Sequence, residues 1–460
     1  MRERDSRSAP DPIEHSYSWG PIALPSRTIF SLRCITACLA SLGAAPTFAH
    51  AQDTSRVTPP DSLIARIRAL ESAVEVLQKQ VNEQAASAVQ THSRAQFEIT
   101  GRVVMNAFSN ERAVNNVDDP QFVRPDSASP RSAHGFGMAV RQTMLGARLT
   151  VPDVAGATFS GVMDVDFYGG QQPSSGGRAF PLLRIRTAHG TLRWSRAEVL
   201  AGQEVPLFSP LNPISPAAFG TPGFVGAGNL WLWLPQLRVT GETGSHIKLA
   251  LQGAVLAPAS GDAQTPFDTD FDPAERSRRP SFETRIRVRW GEDELAGEGG
   301  CAFHVGWLAV PGTATTLGDS LLASRGAGCD LRLPLQRWLE FRGEFYGGQL
   351  MRGLGAGAIG QGVNSFGQPI RNVAGWGQLN ARPVGRIWSG GIGCGFDAPR
   401  QADVARDANS RHENNACSVY SIVHPTGPAF VGFEWRRLST EYARGTFRNN
   451  HLNLATGFEF

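Results

Sequence analysis

The sequence predicts an all-β fold, a transmembrane antiparallel β-barrel of about 16 strands, preceded by a short N-terminal α-helical coiled-coil stalk. Three observations predict it. Apolar and polar residues alternate from Phe97 onward, short connections interleave with long ones, and the chain ends in an apolar alternation that stops at Phe460. The composition agrees, because 51 Gly and 30 Pro in 460 residues interrupt the chain too often for a helical bundle.

The first segment, residues 1–51, has the features of a secretory signal peptide. An arginine-containing start is followed by an apolar run that begins at Cys34, and then by the small-x-small pattern Ala49-His50-Ala51. We expect export with cleavage after Ala51. Beyond this segment, no stretch approaches the roughly 20 consecutive apolar residues that a membrane-spanning helix needs.

The next segment, residues 52–95, carries a heptad pattern. Asp61 is a plausible N-cap after two prolines, and apolar residues then recur at alternating gaps of four and three. An isolated helix of this length is only marginally stable in water, so the heptad pattern predicts self-association in the periplasm. The alternative is a single amphipathic helix that lies on the next domain. The seam consists of Leu63, Ile67, Leu70, Val74, Leu77 and Val81.

The remaining chain, residues 96–460, alternates with period two, as strands do. Ser281–Trp290 is the clearest case, with Phe282 and Ile286 on one face and Arg285 and Arg287 on the other. Alternation alone does not separate a membrane barrel from a soluble sandwich. A secreted β-sandwich that binds a ligand therefore stays open at this point.

Connection lengths separate the two folds. Short connections alternate with long ones, which is typical of an outer-membrane barrel with both termini in the periplasm. The predicted long loops include Pro206–Asn229, Pro311–Gly326, Asp397–Asn415 and a shorter Ala443–Arg448. Lipid offers no hydrogen-bond partners, so a sheet that spans it must close.

The final segment places Leu452, Leu454, Thr456, Phe458 and Phe460 on one face. This ending resembles the signal that the bacterial barrel-assembly machinery recognises.

Five motifs follow one another over about residues 100–240: Arg141–Arg148, Asp164–Gly169, Leu183–Ala188, Ala201–Glu204 and Pro235–Arg238. In order and spacing they resemble the DcaP-like outer-membrane porins. The resemblance implies a trimer of 16-stranded barrels with periplasmic coiled-coil extensions, which passes small, often anionic solutes. The heptads alone favour two strands. We expect the trimer that the resemblance implies, because barrel walls would bury more surface than the stalk.

The connection Pro206–Asn229 is the predicted constriction. It contains five prolines and no charged residue, so it cannot be a central strand. Between the fifth and sixth strands, it occupies the place where porin-like barrels fold a loop inward. The alternative is an ordinary loop that projects outward. The candidate constriction residues are Pro206, Phe208, Pro210, Phe219 and Phe224.

The predicted pore wall is rich in arginine. Guanidinium groups in a narrow pore favour anions over cations, and their geometry matches carboxylates. The alternative is that they pair locally with Asp164, Asp166 and Glu283 and only stiffen the wall. The predicted pore-lining residues are Arg102, Asp164, Asp166, Arg184, Arg186, Arg238, Arg285, Arg287 and Arg289.

The sequence therefore predicts an outer-membrane porin for small hydrophilic solutes, anionic ones of the carboxylate type above all. The main alternative is a non-conducting structural barrel that anchors the envelope. We expect no enzyme, because the esterase-like Gly318-Asp319-Ser320-Leu321 lacks the Asp-x-x-His element of that family. Cys301 and His304 lack a second ligand pair for zinc, and no cofactor or nucleic-acid motif is present.

Four cysteines follow the signal peptide, in a compartment that permits disulfides. Pairing strands about the midpoint of the Asp397–Asn415 loop puts Cys394 opposite Cys417. The register implied for Cys301 and Cys329 does not align them directly.

Overall fold

The computed structural model describes residues 95–125, 134–170, 179–261, 270–310, 320–355, 362–384, 387–406, 410–425 and 427–460. The predicted signal peptide lies outside these residues. So does the predicted heptad seam, with Ile67, Leu70, Val74, Leu77 and Val81.

Seventeen strands within the described residues form one antiparallel sheet, and from β3 to β17 each strand pairs with the next one along the chain. β1 (Gln96–Asn110) also pairs with β17 (Gly445–Glu459), from Arg102 opposite Glu459 to Asn110 opposite His451, so the sheet closes. The other strands are β2 (Gly135–Ala139), β3 (Met144–Val154), β4 (Ala157–Asp166), β5 (Arg184–Arg193), β6 (Ala197–Glu204), β7 (Leu234–Thr243), β8 (Lys248–Leu256), β9 (Ser281–Trp290), β10 (Gly297–Val310), β11 (Ser320–Gln336), β12 (Leu339–Gln349), β13 (Arg371–Val384), β14 (Trp388–Pro399), β15 (Arg411–Val423) and β16 (Ala429–Tyr442).

β2 and β3 are two parts of one barrel strand. One half of β1 pairs with β2 and the other half with β3, so the closed barrel has 16 strand positions, as the sequence predicts. The expected unbroken strand Met138–Val151 is wrong. Residues 140–143 interrupt it, and Thr143 Oγ1 accepts a hydrogen bond from Val104 N–H at 3.2 Å in place of a regular ladder bond.

The two faces of the barrel wall differ in polarity. On β9, Phe282 and Ile286 are 45% and 56% exposed, whereas Glu283 and Arg285 are 2% and 3% exposed. This is the arrangement of a transmembrane barrel, in which apolar side chains face lipid and polar ones face the interior. The predicted strand Ser281–Trp290 has these bounds in the structure.

The alternation of connection lengths holds with two corrections. β16 and β17 are joined by Ala443 and Arg444 alone, a tight turn where a longer loop was predicted. β11 begins at Ser320 and thus takes up much of the predicted loop Pro311–Gly326. In both places the backbone pairing continues into residues that the sequence assigned to a loop, because backbone groups can pair whatever the side chains are.

Two disulfides join neighbouring strands. Cys394 lies directly opposite Cys417, as predicted, and the two are bonded. Cys301 lies directly opposite Cys329 and is bonded to it, so the register predicted for this pair was wrong. The longer β11 explains the error, because it shifts the midpoint of the hairpin.

Helical structure in the described residues is limited to single turns. They are η1 (Glu275–Ser277), η2 (Asp293–Leu295), η3 (Met351–Leu354) and α1 (Gln401–Val404). No helix of this part of the chain is long and apolar enough to cross a membrane.

Candidate functional site

Residues 206–229, here called the inner segment, connect β6 to β7. Nearly all of them are buried, and Phe208 and Phe224 are each only 4% exposed. Pro206 is buried as well, while Pro210 and Phe219 are half-buried. A segment without charges, helix or strand must find partners elsewhere for its backbone groups.

Three carboxylates of the wall supply some of those partners. Glu283 on β9 accepts a hydrogen bond from Phe208 N–H at 3.1 Å. Glu344 on β12 accepts one from Leu211 N–H at 2.7 Å, and a second from the Ser209 hydroxyl.

Glu434 on β16 likewise accepts hydrogen bonds from a hydroxyl and a backbone N–H of the inner segment, those of Ser215 and Ala217. Carboxylates therefore hold the inner segment at three separate strands.

Side-chain amides of the wall supply further partners. Gln378 on β13 accepts a hydrogen bond from Ile214 N–H and donates one to Ile214 O, each at 2.8 Å. Gln142, in the break between β2 and β3, accepts from Phe219 N–H at 2.6 Å and donates to Ala217 O at 3.0 Å. Two asparagines, one on β1 and one on β15, donate to segment carbonyls: Asn106 to Pro216 O and Asn414 to Gly226 O.

Apolar contacts also fix the inner segment. Phe208 lies edge-on to Tyr346, with ring centroids 6.0 Å apart, in a buried cluster with Met351 of η3. Phe224 belongs to a second cluster with Trp376 and Ala416. These clusters join the segment to strands β12, β13 and β15 by burial rather than by charge.

Two glycines allow the closest approach. Gly228 adopts a φ of +99°, and a Cβ there would clash with the backbone of Gly375 on β13. A Cβ on Gly395 of β14 would clash with Ala227 O. Larger residues at either position would push the inner segment away from the wall.

Two arginine pairs among the predicted pore residues each share a single carboxylate. Arg184 and Arg186 on β5 both bind Asp166, at 2.7 and 3.2 Å. Both also donate to segment carbonyls, Gly220 O and Phe219 O.

Arg287 and Arg289 on β9 both bind Glu242 on β7. In each cluster two guanidinium groups thus face one carboxylate partner.

The other predicted residues have local partners. Arg285 is buried and forms a forked pair with Asp330, with bonds of 3.0 and 2.6 Å. Arg102 pairs with Glu459, and Arg238 donates to Val205 O and Gln236. Asp164 accepts a hydrogen bond from Thr187 at 2.9 Å.

Sequence reasoning missed the residues that bind the inner segment most directly. Glu344, Glu434, Gln378 and Gln142 were not predicted. Their signal is a polar side chain at an inward position of a strand, but nothing in the alternation distinguishes a residue that binds a loop from one that faces water.

A second connection, residues 111–125 between β1 and β2, also binds the wall. Arg436 on β16 donates to Asp119 at 2.8 Å, to Glu434 at 3.0 Å and to the Ser215 hydroxyl. The Arg141 guanidinium donates two hydrogen bonds to the Asp118 carboxylate of the same connection. Arg436 therefore joins this connection to the inner segment.

Burial raises the pKa of Asp119 to about 7, although its ion pair with Arg436 lowers the pKa. The nearby carboxylates of Asp118 and Glu434 raise this pKa as well.

Two residues of the esterase-like motif, Gly318 and Asp319, lie outside the described residues. Ser320 is the first residue of β11, Cys301 is bonded to Cys329, and His304 contacts Glu283 at 3.1 Å. No group of three potential metal ligands occurs among the residues that the structure describes.

The barrel matches a solved structure, the outer-membrane channel DcaP of Acinetobacter baumannii. The TM-score is 0.60 at 16% identity, over 81% of this chain and 100% of the other. The chain has the fold of the DcaP channel. The resemblance seen in the motifs is thus confirmed at the level of the fold.

Other outer-membrane barrels match less well. OprB of Pseudomonas putida gives a TM-score of 0.49 at 11% identity, over 79% of this chain and 94% of that one. An anion-selective porin from Comamonas acidovorans gives 0.48 at 12% identity, over 80% and 100%. No protein-family model matches the chain, and no curated protein matches it.

Proposed function

We propose that this protein is an outer-membrane porin through which small hydrophilic solutes diffuse. The observation that carries the proposal is a closed 16-position barrel whose outward side chains are apolar and whose inward ones are polar. A barrel of this size leaves a water channel unless something fills it. Its likeness in fold to the DcaP channel supports the same function.

The inner segment would fold into the lumen and set the constriction. Its hydrogen bonds to inward residues of β1, β9, β12, β13, β15 and β16 support this position. An outward loop would leave those wall residues without these partners. Pro206, Phe208, Pro210, Phe219 and Phe224 are the proposed constriction residues.

The solutes would be anionic, of the carboxylate type. Arg184 and Arg186 share Asp166, and Arg287 and Arg289 share Glu242, so each directly bonded group of three holds one more positive than negative charge, with Asp164 and Glu298 close by. In a narrow pore such charge lowers the barrier for anions. Pairing of Arg285 with Asp330 instead supports the wall-stiffening role for that residue.

The main alternative is a non-conducting structural barrel. The extensive binding of the inner segment to the wall favours it, because a well-anchored plug can seal a lumen. Liposome swelling with small sugars and carboxylates separates the two, since a sealed barrel admits neither.

We propose further that residues 1–51 direct export and are removed. Three copies would then assemble through barrel walls and through the periplasmic heptads of residues 52–95. Crosslinking of the mature protein in its native envelope tests the trimer. The selectivity is tested by reversal potentials in planar bilayers under a salt gradient, where cation preference would exclude the anion proposal.

A further inference from the structure

A groove lies on the outside of the barrel, at the end of β8 and the start of β9. It has a volume of about 440 Å³ and is lined by Val255, Phe271, Glu275, Arg278, Arg279 and Pro280, among others. Val255 belongs to the apolar outward face and is 41% exposed, and Phe271 is 74% exposed. One side of the groove therefore continues into the lipid-facing surface.

The other side of the groove is basic. Arg278 and Arg279 line it, and Arg276 lies close by in the chain; all three are exposed. Within the described residues, the guanidinium groups of Arg276 and Arg278 make no ion pair. One carboxylate also lines the groove, because Glu275 is exposed and accepts a hydrogen bond from Asp272 N–H at 2.9 Å. The two lining guanidinium groups therefore exceed the lining carboxylate by one positive charge.

The backbone at Arg278 is left-handed. It has a φ of +56° and a ψ of 28° at the end of η1, a conformation that glycine adopts more easily than arginine. Glycine at this position therefore removes the side chain without straining the backbone.

Aromatic residues place the groove at the edge of the membrane. Arg279 lies over the ring of Trp307 on β10, 5.4 Å from its centroid, and Trp307 lies edge-on to Phe282 at 6.3 Å. Such aromatic girdles mark the interface between hydrocarbon and headgroups. Because long connections follow β8 and β10, this interface is the outer one, which rests on the proposed function.

We infer that this groove binds a phosphorylated glycolipid of the outer leaflet, of the lipid A type. The phosphate would contact Arg278 and Arg279, and an acyl chain would lie along Val255 and Phe282. Basic side chains beside apolar surface have the chemistry that anionic lipids require. A soluble phosphate would satisfy the arginines but would leave the apolar side uncovered.

Native mass spectrometry of the delipidated full-length mature protein tests this inference, with lipid A added in detergent. Wild-type protein should retain lipid A, and Arg278→Gly combined with Arg279→Gln should weaken binding by roughly thirtyfold. Arg278→Gly suits the left-handed backbone, so loss of binding would not reflect misfolding. Arg196→Gln with Arg337→Gln, at exposed turns on the opposite rim, should bind as wild type.

Three results would overturn the inference: equal retention by both double variants, equal binding of phosphatidylcholine, or displacement of lipid A by an equal concentration of inorganic phosphate. Dissociation of the oligomer in the groove variant alone would assign the face to a second copy instead. Conductance of the same variant is measured in parallel. Lipid binding without any conductance would contradict the porin proposal and leave the lipid site standing.

Discussion

Glu344 on the barrel wall accepts a hydrogen bond from the backbone N–H of Leu211, 2.7 Å away. The same carboxylate binds Ser209, and Trp376 Nε1–H donates to it at 3.4 Å. One side chain thus receives three donors of which two belong to the inner segment. The position of that segment depends on polar side chains of the wall, because the segment itself contains no charged residue.

Glu344→Ala should loosen the inner segment. Each buried donor left without a partner costs about 1–3 kcal/mol, so the segment would detach locally. We expect higher and noisier single-channel conductance in planar bilayers, with Glu344→Gln intermediate because its carbonyl still accepts. The control is Glu298→Ala, which removes a wall carboxylate that makes no hydrogen bond to the inner segment in the described part of the chain. Conductance equal to wild type in Glu344→Ala would refute this role.

Arg436→Gln should destabilise the barrel interior. It would leave Asp119 and Glu434 buried without their cation, a change that costs about 3–5 kcal/mol. The expected result is a lower temperature for the heat-induced shift in gel mobility. Arg436→Lys should recover only part of the loss, because lysine lacks the planar fork. Arg437→Gln, on the opposite face, should have little effect; an equal loss there would contradict the prediction.

Removing charges around Glu242 should shift ion selectivity in opposite directions. Glu242→Gln leaves Arg287 and Arg289 without their shared carboxylate and should increase the preference for anions. Arg289→Gln removes a cation that is partly exposed and should decrease it. Reversal potentials under a KCl gradient measure both. Shifts of the same sign would show that this cluster does not act on the permeating ions.

Both disulfides should be present in mature protein from the envelope, and non-reducing mass mapping would show Cys301 with Cys329 and Cys394 with Cys417. Replacing either pair by serine should lower the unfolding free energy by about 3 kcal/mol, by the chain-entropy account. The variants should still fold, because the hydrogen-bonded strand pairing on both sides of each cysteine pair is unbroken. A mixed pairing between the two hairpins would contradict the observed register.

Asp119 should make stability depend on pH. Its pKa is about 7 in the folded protein and ordinarily 3.8. Between these values the folded state holds a proton that the unfolded state releases, so stability should fall as the pH rises from 3.8 to 7.

Asp119→Asn should flatten that slope in urea unfolding at pH 5 and pH 8. Asp153→Asn, near the exposed end of β3, is the matched control and should keep the slope. Equal slopes in all three proteins would rule out Asp119 as the source.

The sequence was informative about the wall and much less so about the interior. Alternation predicted β9 to the residue, because each side chain there faces either lipid or polar surroundings. It did not predict the break at Gln142, since that residue has the right polarity for a strand and leaves it only to reach Phe219 and Ala217. The same holds for Glu344 and Glu434, whose partners are more than 100 positions away in sequence.

The position of both disulfides has a consequence for biogenesis. Each one closes a single hairpin, β10 with β11 or β14 with β15, so neither requires the barrel to be complete. Oxidation before insertion would therefore fix the register of these hairpins. A slip of one residue would turn every apolar side chain of a strand toward the polar interior of the barrel. The register of the four strands in these two hairpins would then be fixed before the polypeptide reaches the membrane.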